Sequence, residues 1–287
     1  MRILVTGKNG QLGKSIHKLV TNTEQTDDFV FVGREELDLS NGNNIACYFK
    51  DNVFDIIINC AAHTAVDKAE EEQDLANQVN HLAVKQLAQI AKNQQAKLIH
   101  ISTDYVFDGE SDKPYTETDV TNPINVYGKT KLAGEQALKE IMPTDAIIIR
   151  TSWVYSEYGN NFVKTMLMLG QERDELSVVS DQIGSPTYAT DLANAILDIV
   201  QNVAFKEAEH EMQVYHYSNE GEISWYEFAQ VIFKISGTVC KINKIQSKDF
   251  STATERPMYT VLNNSKIITQ CKITQLNWKK SLERSLS

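Results

Sequence analysis

Tyr127 and Lys131 stand four residues apart in the run Asn125-Val126-Tyr127-Gly128-Lys129-Thr130-Lys131. On a helix this spacing sets a phenol and an ammonium side by side on one face. A phenol titrates near pH ~10, so it works as an acid or base near neutrality only where a positive charge favours its phenolate. Lys131 is placed to be that charge. Upstream, the apolar strand 97–101 runs directly into Ser102-Thr103-Asp104, so hydroxyls are offered at a strand end. A proton donor, a cation and a hydroxyl are what is needed where negative charge develops on a reacting oxygen. Tyr127 and Lys131 alone could be an ordinary surface pair. Thr103 and a glycine-rich turn near the N-terminus make catalysis the stronger reading.

That turn follows a strand over 2–6 and reads Gly7-Lys8-Asn9-Gly10-Gln11-Leu12-Gly13; Leu12, Ile16, Leu19 and Val20 then recur at helical spacing. In such a strand, turn and helix, one glycine makes the turn, one lets the backbone approach a pyrophosphate, and one packs the helix on the strand. The helix N-terminus, opening at Gln11 and Leu12, offers free N–H groups to phosphates. A second strand, 29–32, ends in Gly33-Arg34, where an NAD-selective site would carry an acid for the ribose. An arginine tolerates a 2′-phosphate, so NADPH is favoured over NADH. Glu35 and Glu36 follow closely and could reverse that choice, and Arg34 could equally be a plain surface residue. Asp38 and Leu39 either lie over an adenine or cap a helix near Ile45. A third strand, 54–60, leads into Ala61, Ala62, His63 and Thr64, small enough at first for a cofactor to lie against the backbone. His63 on its own reads more readily as a satisfied polar residue. The acidic run 70–72 is expected to start a solvated helix, with a long helix continuing through Asn80, Ala83, Leu87 and Ile90.

Strands and helical stretches alternate through the first 150 residues, which calls for an α/β fold with a Rossmann-type, doubly wound parallel sheet. Residues 1–150 are read as the dinucleotide-binding domain, with return elements around 176–200. Residues 151–175 and 201–287 are read as a smaller, discontinuous C-terminal substrate domain. The chain's 287 residues carry a net charge of −10 and no basic stripe, which argues against nucleic acid as a partner. Its apolar runs are strand-sized and there is no charged leader before an apolar stretch, so neither a membrane nor secretion is expected. Cys47, Cys60, Cys240 and Cys271 have no metal-ligand spacing and are read as reduced core thiols of a cytoplasmic protein.

Several segments together resemble the extended short-chain dehydrogenase/reductases that act on nucleotide sugars, and within them the dTDP-4-dehydrorhamnose reductase family. They are Ala61-Ala62-His63-Thr64-Ala65-Val66-Asp67, Ser102-Thr103-Asp104-Tyr105-Val106-Phe107, the Tyr127 to Lys131 run with Leu132-Ala133-Gly134-Glu135, Arg150-Thr151-Ser152-Trp153-Val154-Tyr155 and Gly159-Asn160-Asn161-Phe162. The resemblance implies reduction of the 4-keto group of a dTDP-linked 6-deoxysugar by NADPH or NADH. It implies Tyr127 as general acid, Lys131 as ribose ligand that lowers the phenol's pKa, and Thr103 as a hydrogen bond to the substrate oxygen. Asp104, Val66 and Trp153 become substrate contacts, with Asn161 and Gln182 as further lining; Arg256 either anchors the tail or meets a phosphate. Thr103 is followed by Asp104-Tyr105, not the Asp-Glu pair of sugar-nucleotide dehydratases. Intact Tyr127 and Lys131 argue against a non-catalytic regulatory subunit of the methionine adenosyltransferase type. Some members of the family dimerise through Mg²⁺ held by carboxylates, one of them just after the glycine turn. Here that place is Lys14, so no metal is expected, and the chain is expected to be a monomer or weak homodimer.

Overall fold

The structure, a computed structural model, describes residues 1–23, 26–202, 205–206, 209–250 and 254–287. Strands β1 (Arg2–Thr6), β2 (Asp28–Val32), β3 (Ile56–Asn59), β4 (Lys97–Thr103) and β5 (Ala146–Thr151) form a parallel sheet. Past them come β6 (Val154–Tyr155), β7 (Glu175–Val179), β8 (Ile183–Gly184), β9 (Thr187–Tyr188), β10 (Gln213–His216), β11 (Ile223–Ser224) and β12 (Lys241–Ile245). β10 pairs in parallel with β5, giving the order β10-β5-β4-β3-β1-β2. This is the expected doubly wound architecture, and the order reverses between β1 and β3, where such sheets open a crevice at their carboxyl ends.

The inner strands are buried on both faces, and their side chains alternate between two cores. Ile3, Val5, Ile56, Ile58, Ile99, Ile147 and Ile149 meet α1 (Gln11–Thr21) and α8 (Ala189–Gln201). Leu4, Ile57, Leu98 and Ile148 meet α2 (Gly42–Lys50), α5 (Ala83–Gln94) and α6 (Val126–Ile141) on the other face. Between α2 and α5 lie the short α3 (Val66–Glu71) and α4 (Gln73–Asn77), followed by a π-helical turn over Gln78–Leu82. A third core gathers α7 (Phe162–Glu172), β7, α9 (Trp225–Ser236) and α11 (Trp278–Leu286), while α10 (Ser265–Cys271) packs on the first.

Four expectations are corrected. β7, expected to return to the large lobe, pairs with β12 and packs in the third core; only alternate residues of its N-terminal half are buried, as suits a strand with one solvent face. β10, expected in the smaller lobe, is the sixth strand of the central sheet. The long helix through Asn80 runs as expected from Gln73 to Gln94, its middle turn Gln78–Leu82 widened to a π turn. The acidic run closes α3, and only Glu72, at the N-cap of α4, starts a helix: Glu70 accepts the Val126 N–H at 2.9 Å and Glu72 pairs with His63. Cys47 is exposed on the outward face of α2, opposite Ile45 and Phe49, and the other three thiols are only partly buried.

Candidate active site

The glycine turn sits against the end of β3. Gly7 is left-handed, with φ +71°, and a side-chain carbon there would lie 2.9 Å from the Ala61 nitrogen; one on Gly13 would lie 2.3 Å from the Gly7 carbonyl oxygen. α1 therefore starts tight against the turn. Its N-cap, Gly10, gives no side-chain hydrogen bond, so the first amides of the helix are left for a ligand. A cleft of about 770 Å³ runs from this turn along the carboxyl ends of β1, β3 and β4 to the loop after β5.

Thr103 closes β4, and its hydroxyl donates to Asp104 Oδ1 at 2.9 Å while accepting the Tyr105 N–H at 3.2 Å. Asp104 Oδ2 is buried without a hydrogen-bond partner. Burial pushes the Asp104 carboxyl up to about 6, opposed by hydrogen bonds from Thr260, Thr103 and the backbone. Tyr127 stands on the first turn of α6, where Asn125 caps the helix by accepting the Gly128 N–H at 2.9 Å. Burial pushes its phenol up to about 12; the Thr103 hydroxyl pulls against the rise and the Asp104 charge adds to it. Lys131 Nζ donates to the Ile101 carbonyl at 2.6 Å, and burial pulls it down to about 8 against the opposing charge of Glu135. Lys131 was expected to lower the phenol; it faces the Ile101 carbonyl of β4, and desolvation governs both groups.

α6 can approach β4 and the π turn because of two glycines. A side-chain carbon on Gly128 would lie 2.1 Å from the Tyr105 carbonyl oxygen, and one on Gly134 would lie 2.2 Å from that of Asn80. Asn80 in turn clamps the loop after β3: it accepts the His63 N–H at 2.9 Å and donates to the His63 carbonyl and to Thr130. Below Lys131, Glu135 is bound by Arg150 at 2.9 and 2.7 Å and by Ser102 at 2.6 Å, a fully buried pair that ties β4, β5 and α6 together. The far wall carries Trp153, whose φ of +46° is costly for a bulky residue and whose ring stacks on Trp225 at 3.4 Å between centroids.

Bare helix amides, a glycine cradle and the small Ala61 and Ala62 at a strand end fit the pyrophosphate and riboses of a dinucleotide. A nicotinamide cofactor held there would supply a hydride, in the cleft that Thr103 and Tyr127 also line. The family model described as RmlD substrate binding domain matches residues 1–287. The chain belongs to that family. A dTDP-4-dehydrorhamnose reductase of Aggregatibacter actinomycetemcomitans is 41% identical to it over 291 residues, 98% of this chain and 97% of the relative. A dTDP-4-dehydrorhamnose reductase of Clostridium acetobutylicum superposes with a TM-score of 0.93 at 40% identity, covering 100% of this chain and 98% of the other. The Bacillus anthracis dTDP-4-dehydrorhamnose reductase, in complex with NADP, superposes with a TM-score of 0.91 at 39% identity over 99% and 98% of the two chains.

Of the RmlD-family residues read from the sequence, Gly7, Gly10, Gln11, Leu12, Arg34, Asp38, Leu39 and Ala61 to Thr64 line the cleft toward the turn; Val66, Thr103, Asp104, Tyr127, Lys131 and Trp153 line the rest. Four others stand off the wall. Gly13 serves packing. Asn161 caps α7 through the Lys164 N–H, and its amide donates to Gln11 and to the Ser156 carbonyl, so it holds the loop that bears Asn160 and Gly159. Gln182 is buried outside the cleft. Arg256 pairs with Asp67 at 3.0 Å, which ties the tail to α3. Asp38 folds onto Ser40, accepting its N–H at 2.9 Å and its hydroxyl at 2.6 Å, while Asn41 caps α2. Glu36 accepts the Gly33 N–H and pairs with Lys8, and Arg34 reaches Ser40. Trp225, Asn80 and the Glu135–Arg150 pair carried no site role from the sequence: each acts through a partner outside its own element. The i,i+7 spacing of Gly128 and Glu135 carried no signal of its own. Among the described residues no group of three or more His, Cys, Asp or Glu is placed to hold a metal, and no helix is long and apolar enough to cross a membrane.

Proposed function

We propose that the chain reduces the C4 carbonyl of dTDP-4-dehydrorhamnose to the alcohol of dTDP-L-rhamnose, taking a hydride from NADPH or NADH. The observation that carries this reading is the meeting of Thr103, Tyr127 and Lys131 on one wall of a cleft whose floor is a glycine-rich dinucleotide turn. Tyr127 donates its phenolic proton to the carbonyl oxygen as charge develops there, and Thr103 turns its hydroxyl from Asp104 to donate a hydrogen bond to the same oxygen. Lys131 holds the nicotinamide ribose. Trp153, backed by Trp225, is the apolar wall for the deoxysugar. Arg34 with Ser40 receives a 2′-phosphate, and Glu36, engaged by Lys8 and Gly33, does not compete for a ribose hydroxyl; NADPH is the favoured cofactor and NADH is accepted.

The dinucleotide lobe in this reading is residues 1–150 with α8 and β10, and the substrate lobe is residues 151–188 with most of 217–287. The chain works in the cytoplasm as a monomer or weak homodimer that needs no metal. Supplying enzymatically made dTDP-4-dehydrorhamnose and following nicotinamide absorbance tests the activity. Oxidation of NADPH with formation of dTDP-L-rhamnose is expected; no oxidation of either cofactor would overturn the reading.

A further inference from the structure

Behind Lys131 a row of buried polar side chains crosses the sheet. The Thr6 hydroxyl donates to Asn59 Oδ1 at 2.7 Å, Asn59 Nδ2 lies 3.1 Å from His100 Nδ1, and His100 Nε2 lies 3.4 Å from Lys131 Nζ. All four residues are 2% exposed or less. Thr6 pairs in register with Asn59, and Asn59 with His100, so three adjacent strands each give one polar residue at the same level of the sheet.

Counting protons along the row fixes its polarity. Thr6 Oγ1 accepts the Ala61 N–H at 3.3 Å, so its own proton is directed at Asn59 Oδ1. The Asn59 amide is thereby oriented with its NH₂ toward His100, and Nδ1 must be an acceptor. A neutral imidazole then carries its one proton on Nε2, facing Lys131. An ammonium has no lone pair to receive that N–H; an uncharged amine has one. The Ile101 carbonyl accepts from Nζ in either state.

We propose that His100 is a positioning residue for the reduction: locked as the Nε2–H tautomer by Thr6 and Asn59, it hydrogen-bonds only the uncharged amine of Lys131 and so readies that lysine to release a proton. This rests on the reading of the site as a reductase. When Tyr127 has given its proton to the substrate oxygen, an N–H bond of Lys131 breaks and the O–H bond of Tyr127 re-forms. The amine left behind accepts from His100 until water in the cleft returns a proton to it. The other charged groups about Lys131 do not cancel this arrangement. On α6, Glu135 favours the ammonium, but its carboxylate is engaged by Arg150 of β5 and Ser102 of β4; Tyr127 is neutral, and Asp104 bonds Thr103. Burial holds Lys131 at about 8 and keeps His100 well below the usual imidazole range, in keeping with a neutral ring.

The test uses the cofactor-free protein, so its outcome is separate from whether the dTDP-sugar is turned over. Long-range ¹⁵N correlation spectra at pH 7 should show His100 as the neutral Nε2–H tautomer; an Nδ1–H tautomer or an imidazolium would overturn the proposal. Asn59→Asp replaces the amide donor by a carboxylate that takes an Nδ1–H, which turns Nε2 into an acceptor for the ammonium. In that variant the titration of ¹³C-labelled Lys131 should move upward, about tenfold or more in proton affinity; an unmoved or lowered titration contradicts the proposal. If the variant does not fold, the wild-type tautomer still decides.

Discussion

Burial shifts Tyr127, Lys131 and Asp104 alike toward their uncharged forms, and the partners present set how far. Tyr127 is a weaker acid than in water, Lys131 a weaker base, and Asp104 is pushed up to about 6 from its ordinary 3.8. The folded chain thus binds more protons than the unfolded one between those two Asp104 values. Stability from this group is full below pH 3.8 and is lost as pH rises through 6. Asp104→Asn removes that loss: measured by urea unfolding, the variant should gain on the order of 2 to 3 kcal/mol on wild type between pH 4 and pH 7. An unchanged difference would mean that Asp104 stays ionised in the fold. At this scale the sequence was informative about types and poor on states. The i,i+4 spacing of Tyr127 and Lys131 was legible, but the Ile101 carbonyl that Lys131 faces and the desolvation of both groups arise from packing.

Elements place these residues through close backbone approaches that only glycine permits. Gly13 brings α1 onto the turn, and Gly128 brings the first turn of α6 against the Tyr105 carbonyl. Gly128→Ala must move α6 away from β4 at the point where Tyr127 begins; about 1 to 3 kcal/mol of stability should be lost. Turnover should fall more than substrate affinity, as steady-state kinetics beside a thermal melt would show. A variant with wild-type melting and turnover would mean that α6 has slack. The three glycines after β1 were readable because their spacing follows a strand and precedes a helix. Gly128 and Gly134 were not, since their need lies in carbonyls of Tyr105 and Asn80, 23 and 54 residues away in the chain. The π turn at Gln78–Leu82, which aims Asn80 at the His63 loop, likewise leaves the apolar period of a helix almost unchanged.

Over the whole molecule, the parallel sheet was legible because βαβ alternation and apolar runs such as Ile56-Ile57-Ile58 persist across the first 150 residues. The C-terminal half was read less well: β7 and β10 are short strands whose sheet membership depends on which neighbour they meet. The same holds for Trp225, which lies far from the glycine turn in sequence yet backs Trp153 across the cleft. Trp225→Ala removes that stack, so the KM for the sugar nucleotide should rise about 3- to 10-fold with NADPH affinity unchanged, measured by kinetics and fluorescence titration. An equal loss of NADPH affinity would place the tryptophan pair at the cofactor end. The central claim is that Tyr127 supplies the proton within an otherwise complete dinucleotide site. The most direct measurement is Tyr127→Phe, compared with wild type for NADPH dissociation constant and for turnover of dTDP-4-dehydrorhamnose. An unchanged dissociation constant and turnover lower by about 10²- to 10⁴-fold are expected; a variant that turns over at the wild-type rate would contradict Tyr127 as the proton donor.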